Sequence, residues 1–325
     1  MANKFIPFII AAALLFLLVG TASAHYVAIF PADSQPESIN VTAENYYFNV
    51  GETTNLYLYV VHPPDAYFTE AGENGPNLDI GMNLIAPDGT VQKIQAQRAA
   101  NNVTYDTGER VVTVRWYVGS VTLNQEGVYY VQGYQKGFKE GTMTRERYTF
   151  CPIYVGSSST GWDNVKKYGH DLGAPVTVYA ASNPKNITET SSMSFVVDGD
   201  LNWYLNEADD PAPLHNPLPI RAEQYANPYE IKSNGPGEGI YEHVNSNMTK
   251  SFTFNDDGVW FIIALNQELD EDRDNYQTVY MIPVLPTKSS TPSTPEKDSS
   301  IPGIGFFGIL ACIGLAGAVI IHRRK

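Results

Sequence analysis

The sequence predicts an all-β protein whose body contains two tandem copies of one fold. Apolar and polar residues alternate over residues 112–118, which places four apolar side chains on one face of a strand. Helical periodicity is hard to find anywhere in the body. Residues 122–131 recur as residues 253–262, and residues 51–60 recur as residues 188–197. Two matched segments in the same order indicate a tandem repeat.

The turns inside the repeat indicate how the sheets pack. Residues 125–129 and 256–260 each place glycine, valine and an aromatic residue after two polar residues. Both turns resemble the corner before strand F of an immunoglobulin-like sandwich. Val131 and Ile262 stand where antibody domains carry a cysteine, and Cys151 is the only cysteine of the body, which excludes an intramolecular disulfide. We therefore expect two immunoglobulin-like β-sandwich domains that are stabilised by packed cores.

The domain boundaries follow from composition. Domain one is assigned to residues 25–155 and domain two to residues 170–286. Residues 156–169 form the linker between them. This linker starts with a Gly- and Ser-rich run over residues 156–161, a composition typical of flexible connections.

The N-terminus has the pattern of a secretory signal peptide over residues 1–24. Lys4 precedes an uncharged run over residues 5–20, and the small residues 21–24 form a cleavage site. Cleavage there makes His25 the first residue of the mature protein. An uncleaved signal anchor is the alternative.

The C-terminus has the pattern of a membrane attachment. Residues 287–303 are a stalk rich in Ser, Thr and Pro, residues 304–321 are uncharged and long enough to cross a bilayer, and residues 322–325 are a basic tail. This order places the body outside the cell. The segment also resembles archaeal C-terminal sorting signals that begin Pro-Gly-Phe, with Ile304 at the Phe position. That resemblance implies removal of the span and attachment through a lipid, so a surface location anchored at the C-terminus is expected either way.

The charge of the body limits its partners. Four of the 21 basic residues and none of the 35 acidic ones lie in residues 1–24 and 301–325, which leaves 17 basic against 35 acidic residues and a net charge of −18. Such a body repels phosphate backbones, so we expect no nucleic-acid partner. Metal cations remain possible partners.

Four sequons of the form Asn-X-Thr predict N-glycosylation of an exported chain, and they lie at Asn40, Asn102, Asn186 and Asn247. Signatures of hydrolases, zinc proteases, thiol redox enzymes and phosphate-binding loops are absent from the body, so we predict no enzyme. Cys151 lies in a sequence that reads as a strand, and we expect a buried structural thiol there.

Three histidines are candidate metal ligands. Cleavage before His25 would leave its α-amine beside its imidazole, and these two nitrogens can chelate one ion. His62 ends a strand and precedes two prolines that fix the exit of the chain. Together they would offer three nitrogens, which suits Ni(II), Co(II) or Cu(II) better than Ca(II) or Mg(II). His170 could close over this site from domain two. Unrelated surface histidines are the alternative.

Short motifs of domain one resemble a family of exported domains associated with nickel and cobalt uptake, catalogued mainly as a domain of unknown function. They cover residues 24–31, 46–52, 61–63 and 127–129, and residues 278–285 look like archaeal members. The resemblance implies binding of a transition metal outside the cytoplasm beside a membrane permease, with His25 and His62 as the residues that match. Domain two departs from the family, because no Arg-Pro-Tyr-Gly-type stretch follows Pro175.

Three functions are compatible with these patterns. The first is a surface protein that binds Ni(II) or Co(II) and feeds an uptake permease. The second is a structural or adhesive protein of the cell envelope, in which tandem sandwiches on a stalk act as spacers. The third is a copper-dependent oxidative enzyme that uses the N-terminal histidine.

Overall fold

The computed structural model describes residues 26–32, 41–62, 67–69, 79–98, 103–106, 111–114, 116–140, 143–199, 219–226, 230–233, 242–243, 248–266 and 275–287. The predicted signal peptide, His25, the predicted span and all of the predicted stalk except Thr287 lie outside these residues. Within the described part of the chain, no helix is long and apolar enough to cross a membrane.

Most of the described residues lie in β-strands and very few lie in helices, so the prediction of an all-β protein is confirmed. The strands up to residue 155 are β1 (Tyr26–Ala32), β2 (Tyr47–Phe48), β3 (Thr53–His62), β4 (Tyr67–Thr69), β5 (Asp79–Ile85), β6 (Val91–Ile94), β7 (Gln97–Arg98), β8 (Val103–Asp106), β9 (Val111–Val114), β10 (Tyr117–Thr122), β11 (Gly127–Glu140) and β12 (Met143–Val155).

The later strands are β13 (Val176–Ala180), β14 (Ser192–Gly199), β15 (Pro219–Ala226), β16 (Glu230–Ser233), β17 (Glu242–His243), β18 (Thr249–Thr253), β19 (Gly258–Asn266) and β20 (Asn275–Val284). Two short helices complete the described secondary structure. They are a 3₁₀ helix over Ala43–Tyr46 and an α-helix, α1, over Asn164–Tyr168.

Strands from both sequence halves share one ten-stranded sheet. Its main order is β16-β15-β19-β20-β12-β11-β5-β6, while β17 pairs with β15 and β2 pairs with β12. The two halves meet where β12 and β20 pair in parallel, from Arg145 opposite Asn275 to Phe150 opposite Tyr280. The segments assigned to domain one and domain two are therefore joined by continuous backbone hydrogen bonding.

Two smaller sheets carry the remaining described strands of each half. The five-stranded sheet has the order β1-β3-β10-β7 with β4 paired to β3, and the three-stranded sheet has the order β13-β14-β18. A separate hairpin joins β8 and β9.

The five-stranded sheet packs on the ten-stranded sheet through Gly133 of β11. A Cβ at Gly133 would lie 2.9 Å from both Ile29 Cδ1 of β1 and Leu58 Cδ1 of β3, so glycine permits this close approach. Ile29 and Leu58 are fully buried. The first half of the chain therefore has two sheets packed around an apolar core.

The three-stranded sheet packs on the same ten-stranded sheet through β20. The Phe195 and Tyr280 ring centroids lie 5.8 Å apart. The Thr278 hydroxyl donates to the Val176 carbonyl at 2.5 Å. The second half therefore also has a small sheet packed on a portion of the large one.

In both halves an aromatic side chain is hydrogen-bonded to the backbone four residues earlier in the repeated corner, but it accepts in the first half and donates in the second. Tyr129 accepts the Gln125 backbone N–H through its hydroxyl at 2.7 Å, and the Trp260 indole N–H donates to the Asp256 carbonyl at 3.1 Å. Gly127 and Gly258 both have positive φ, at 141° and 119°. An aromatic side chain thus fixes the turn before β11 and the turn before β19 at matching positions.

The segment predicted as a flexible linker is bonded to the body of the protein. One oxygen of the Glu126 carboxylate accepts the Ser157 and Ser158 backbone N–H groups at 2.6 and 3.1 Å. The Lys185 ammonium donates to the Gly156 and Ser158 carbonyls, both at 2.7 Å. Hydrogen bonds from Ser157 hold the pKa of Glu126 below its usual range. Residues 156–158 are therefore fixed from both sides.

We expect Tyr129→Phe to lower the free energy of unfolding by about 1 kcal/mol, because the Gln125 N–H loses its acceptor. Chemical denaturation of the two proteins measures the difference. Tyr154→Phe is the matched control, since the buried Tyr154 hydroxyl has no hydrogen-bond partner within the described residues. Equal losses in the two variants would contradict a role for the corner bond.

Candidate functional site

Strand β1 follows the predicted cleavage site directly and is buried along its length. Every residue from Tyr26 to Pro31 is buried. On one side β1 pairs antiparallel with β3, from Tyr26 opposite Val61 to Ala32 opposite Asn55. Burial of both faces and pairing along one edge fix the course of the chain after residue 25.

The other edge of β1 is closed by side chains. The Ile29 N–H donates to Met281 Sδ at 3.4 Å, and the Ile29 carbonyl accepts the Tyr46 hydroxyl at 3.3 Å and the Cys151 thiol at 3.7 Å. Near the start of the strand, the Tyr26 and Phe261 ring centroids lie 5.0 Å apart. Residues of both sequence halves therefore hold β1 in place, and side chains satisfy the backbone groups of Ile29 on this edge.

Cys151 is fully buried, as the sequence predicts for a structural thiol. Burial raises the pKa of this thiol well above its ordinary value, because a thiolate would be poorly solvated there. The thiol is therefore neutral at physiological pH, and it lies within hydrogen-bond distance of the Ile29 carbonyl of β1 and the Pro152 carbonyl of its own strand.

His62 is the last residue of β3, and the structure describes its backbone but not its side chain. On one side of β3, His62 lies opposite Tyr67 and Val61 opposite Phe68 of β4. On the other side, Val61 lies opposite Tyr26 of β1. His25, which precedes Tyr26 in the chain, lies outside the described residues.

His170 lies just after α1, and its contacts are with residues of the second half. Its Nδ1 lies 3.0 Å from the Ala174 carbonyl, which can only accept, so this bond requires the proton on Nδ1. Its Nε2 lies 3.4 Å from the Thr177 hydroxyl and 3.8 Å from an Asp198 carboxylate oxygen. In this tautomer Nε2 carries the lone pair that a metal ion would need.

Of the four sequons, the structure describes the asparagine of one. Asn40, Asn102 and Asn247 lie outside the described residues. Asn186 is exposed, has a φ of 62° and donates its backbone N–H to the Tyr47 hydroxyl at 3.1 Å. Asparagine tolerates this left-handed conformation better than most residues.

A cavity of about 410 Å³ lies at the end of β1 that is remote from Tyr26. We call it the Tyr47 cavity. It combines aromatic walls with carboxylate, amide and hydroxyl groups, and none of the described residues that line it is basic. The lining residues are Pro31, Ala32, Glu44, Asn45, Tyr47, Phe48, Glu52, Thr53 and Thr54.

One group of three carboxylates was not anticipated from the sequence. Oxygens of Glu189, Asp256 and Asp257 lie within 4.8 Å of one another. They could offer oxygen ligands to a divalent cation, although exposed acidic groups commonly occur without one. Asp256 and Asp257 lie in the repeated corner, but Glu189 is distant in sequence, and no spacing pattern connects it with them.

Asp257 is an exposed residue, but partial desolvation of its carboxyl is the main cause that raises its pKa, and the charges of Asp256, Glu189 and Glu44 raise this pKa further. The carboxylate therefore loses favourable solvation and meets like charges when the protein folds. Ionisation of Asp257 opposes folding.

Comparisons with known proteins give no family assignment. No family model matches the chain, and no curated protein matches it. Among solved structures, it is similar to a DUF4785 family protein from Legionella pneumophila, with 12% identity, a TM-score of 0.24 and coverage of 74% of this chain and 50% of that one. The chain thus spans half the length of that protein.

Two further solved structures are similar over most of their length. The fibronectin(III)-like modules of Clostridium thermocellum CbhA show 10% identity and a TM-score of 0.19, with coverage of 80% of this chain and 94% of that one. The Ig1-2 module of the Drosophila receptor protein tyrosine phosphatase DLAR shows 8% identity and a TM-score of 0.19, with coverage of 80% and 99%. Similarities this low carry no argument about function.

We expect Asp257→Asn to stabilise the protein at neutral pH by up to about 0.5 kcal/mol, the range of exposed substitutions. Because the pKa of Asp257 is raised in the folded state, ionisation of this carboxyl lowers the stability of the wild-type protein as pH rises through the folded-state pKa. The stability difference between Asp257→Asn and wild type should therefore vanish near pH 3, where the carboxyl is protonated. Denaturant midpoints at both pH values measure it.

Asp88→Asn is the control of opposite sign. The pKa of Asp88 is lowered, first by the Thr90 backbone N–H and then by Gln125, so its ionised form favours folding. This variant should be less stable than wild type at neutral pH and equal to it in acid. A destabilising effect of Asp257→Asn at neutral pH would show that the carboxylate has a favourable partner.

Proposed function

We propose that the protein is an exported, surface-anchored binding protein for a divalent transition metal, Ni(II) or Co(II), which it passes to an uptake permease. The ligands are the α-amine and imidazole of His25 together with His62. The body consists of two tandem immunoglobulin-like sandwiches that share the ten-stranded sheet, and the C-terminal segment or a lipid holds it at the membrane.

The pairing of β1 with β3 is the observation that supports this proposal. Tyr26 follows His25 in the chain and lies opposite Val61, which precedes His62. Consecutive α-carbons lie about 3.8 Å apart and paired α-carbons of antiparallel strands about 5 Å apart, so covalent geometry keeps the α-carbons of His25 and His62 within about 13 Å. That is a separation across which two imidazoles can reach one ion.

The donor set favours a transition metal over calcium or magnesium. An N-terminal histidine closes a chelate through its amine and imidazole, and a second imidazole supplies a third nitrogen. Nitrogen donors of this kind suit Ni(II), Co(II) and Cu(II). His170 remains a candidate for a further ligand, because the Ala174 carbonyl holds its Nδ1 proton and leaves Nε2 as the donor.

The charge of the body favours a cationic cargo. With a net charge of −18 outside the two ends, the body attracts cations and raises their concentration near its surface. This attraction does not select one metal from another, so selectivity rests on the nitrogen ligands.

The tandem architecture is supported by the two equivalent corners. Tyr129 and Trp260 hold matching turns. One turn precedes β11, which pairs with β12, and the other precedes β19, which pairs with β20.

A rigid spacer in the cell envelope is the second candidate function, and the continuous sheet across β12 and β20 favours it, because backbone hydrogen bonds join the two halves. The spacer requires neither histidine.

The test uses residues 25–287 with an authentic His25 at the N-terminus, because the described residues up to Thr287 form one compact unit. Ni(II), Co(II), Cu(II) and Ca(II) are titrated calorimetrically into this protein and into the same protein with one residue added before His25. The added residue should weaken Ni(II) or Co(II) binding by at least about tenfold, because the amine moves away from the imidazole.

His62→Ala should weaken binding to a similar degree, and His170→Ala reports whether the second half supplies a ligand. Equal affinity of the authentic and extended proteins would overturn the N-terminal chelate. Tight binding of Cu(II) alone, with peroxide formed on addition of a reductant, would instead favour a copper enzyme.

A further inference from the structure

We infer that Asn186 carries an N-linked glycan whose first neutral sugars fold back into the Tyr47 cavity. The observations behind this inference are the exposure of the sequon, its attachment to the cavity wall and the chemistry of the lining. None of them involves the histidines, so the inference is independent of metal binding.

Asn186 is presented as an acceptor. Asn186 is exposed, and Ile187 and Thr188 complete its sequon. The backbone around it is fixed, because the Leu285 N–H donates to the Ile187 carbonyl at 2.8 Å and the Glu189 N–H donates to the Leu285 carbonyl at 3.0 Å. A sugar attached at Asn186 therefore starts from a defined position on the folded protein.

That position is at the wall of the Tyr47 cavity. The Asn186 backbone N–H donates to the Tyr47 hydroxyl at 3.1 Å, and Tyr47 lines the cavity. Burial raises the pKa of Tyr47 to about 12, so its hydroxyl keeps its proton at physiological pH. Because the oxygen accepts from Asn186, this proton can be donated to a sugar hydroxyl.

The walls of the cavity suit the two surfaces of a sugar ring. Tyr47 and Phe48 line the cavity and are half-buried, which leaves aromatic surface on which the apolar face of a sugar can pack. The Tyr154 ring centroid lies 4.9 Å from that of Tyr47 and supports this ring from within the protein. The Glu52 carboxylate is held by the Asn49 backbone N–H and side-chain amide, both at 2.8 Å, so its orientation is fixed before a sugar arrives. A volume of about 410 Å³ is within the usual range for small-ligand sites.

The charge of the lining selects neutral sugars. Glu44 and Glu52 accept hydrogen bonds from hydroxyl groups but repel carboxylate, phosphate or sulfate groups, and the described part of the lining has no basic side chain to offset this repulsion. The Asn45 side-chain oxygen already accepts the Thr42 N–H at 2.8 Å, which leaves its amide hydrogens for a sugar oxygen. The occupant is therefore a neutral glycan.

The first measurement is peptide mass spectrometry of the full-length protein isolated from its natural membranes. It should find a sugar on Asn186. An unmodified Asn186 would overturn the inference.

The second measurement is a double-mutant cycle on thermal stability in the same host. Asn186→Gln removes the glycan, and Glu44→Ala with Phe48→Ala removes wall contacts without changing the sequon. The glycan should raise the ratio of folded to unfolded protein by about fivefold or more with the wild-type cavity, and this gain should disappear with the altered cavity. Glu44→Ala alone should remove part of the stability gain from the glycan. This single variant provides the test if the protein with both Glu44→Ala and Phe48→Ala fails to fold.

Asn247→Gln is the matched control, because loss of that sequon should have the same effect with either cavity. A gain from the Asn186 glycan that is equal in both backgrounds would overturn docking. The oligosaccharide released from the native protein is finally titrated into Asn186→Gln. Saturable binding of this oligosaccharide that Glu44→Ala weakens supports the assigned chemistry of the cavity. If the oligosaccharide binds but the double-mutant cycle shows no coupling between Asn186 and the cavity, the cavity takes a separate polysaccharide and the inference is overturned.

Discussion

The parallel pairing of β12 with β20 is the constraint on which the rest of the structure depends. It brings Cys151 and Met281 side by side, one residue beyond the pair Phe150 and Tyr280. The backbone of Ile29 lies over this junction and bonds to a side chain from each strand. Without the pairing, the free edge of β1 would lack its partner from the second half.

Strand β1 connects the two regions to which we assign a role. At its start, Tyr26 follows His25 and lies opposite Val61 beside His62. At its end, Pro31 and Ala32 line the Tyr47 cavity. A strand that is buried, paired with β3 and bonded through Ile29 on its other edge gives both regions a rigid base, which is what metal chelation and sugar docking both require.

Features that depend on a local sequence pattern could be predicted from the sequence. Strand periodicity, the repeated corner at Tyr129 and Trp260, and the buried thiol of Cys151 all follow from short segments. The pairing of β12 with β20 could not be predicted in this way, because the packing of the folded protein, and no local sequence pattern, decides which distant strands form a parallel ladder. Glu126 and Lys185 fix residues 156–158, although the composition of that segment is typical of flexible linkers. Glu189 joins Asp256 and Asp257 by tertiary contact, so spacing could not reveal the cluster.

Native-state hydrogen exchange of residues 25–287 tests most directly whether the two halves and β1 form one cooperative unit. Slow amides of β1, β12 and β20 should exchange with the same free energy and lose protection together as denaturant is added, because each depends on the shared junction. Exchange of β20 at a clearly lower free energy than β12, with β1 still protected, would contradict the account, since the second half would then open without releasing the N-terminal strand.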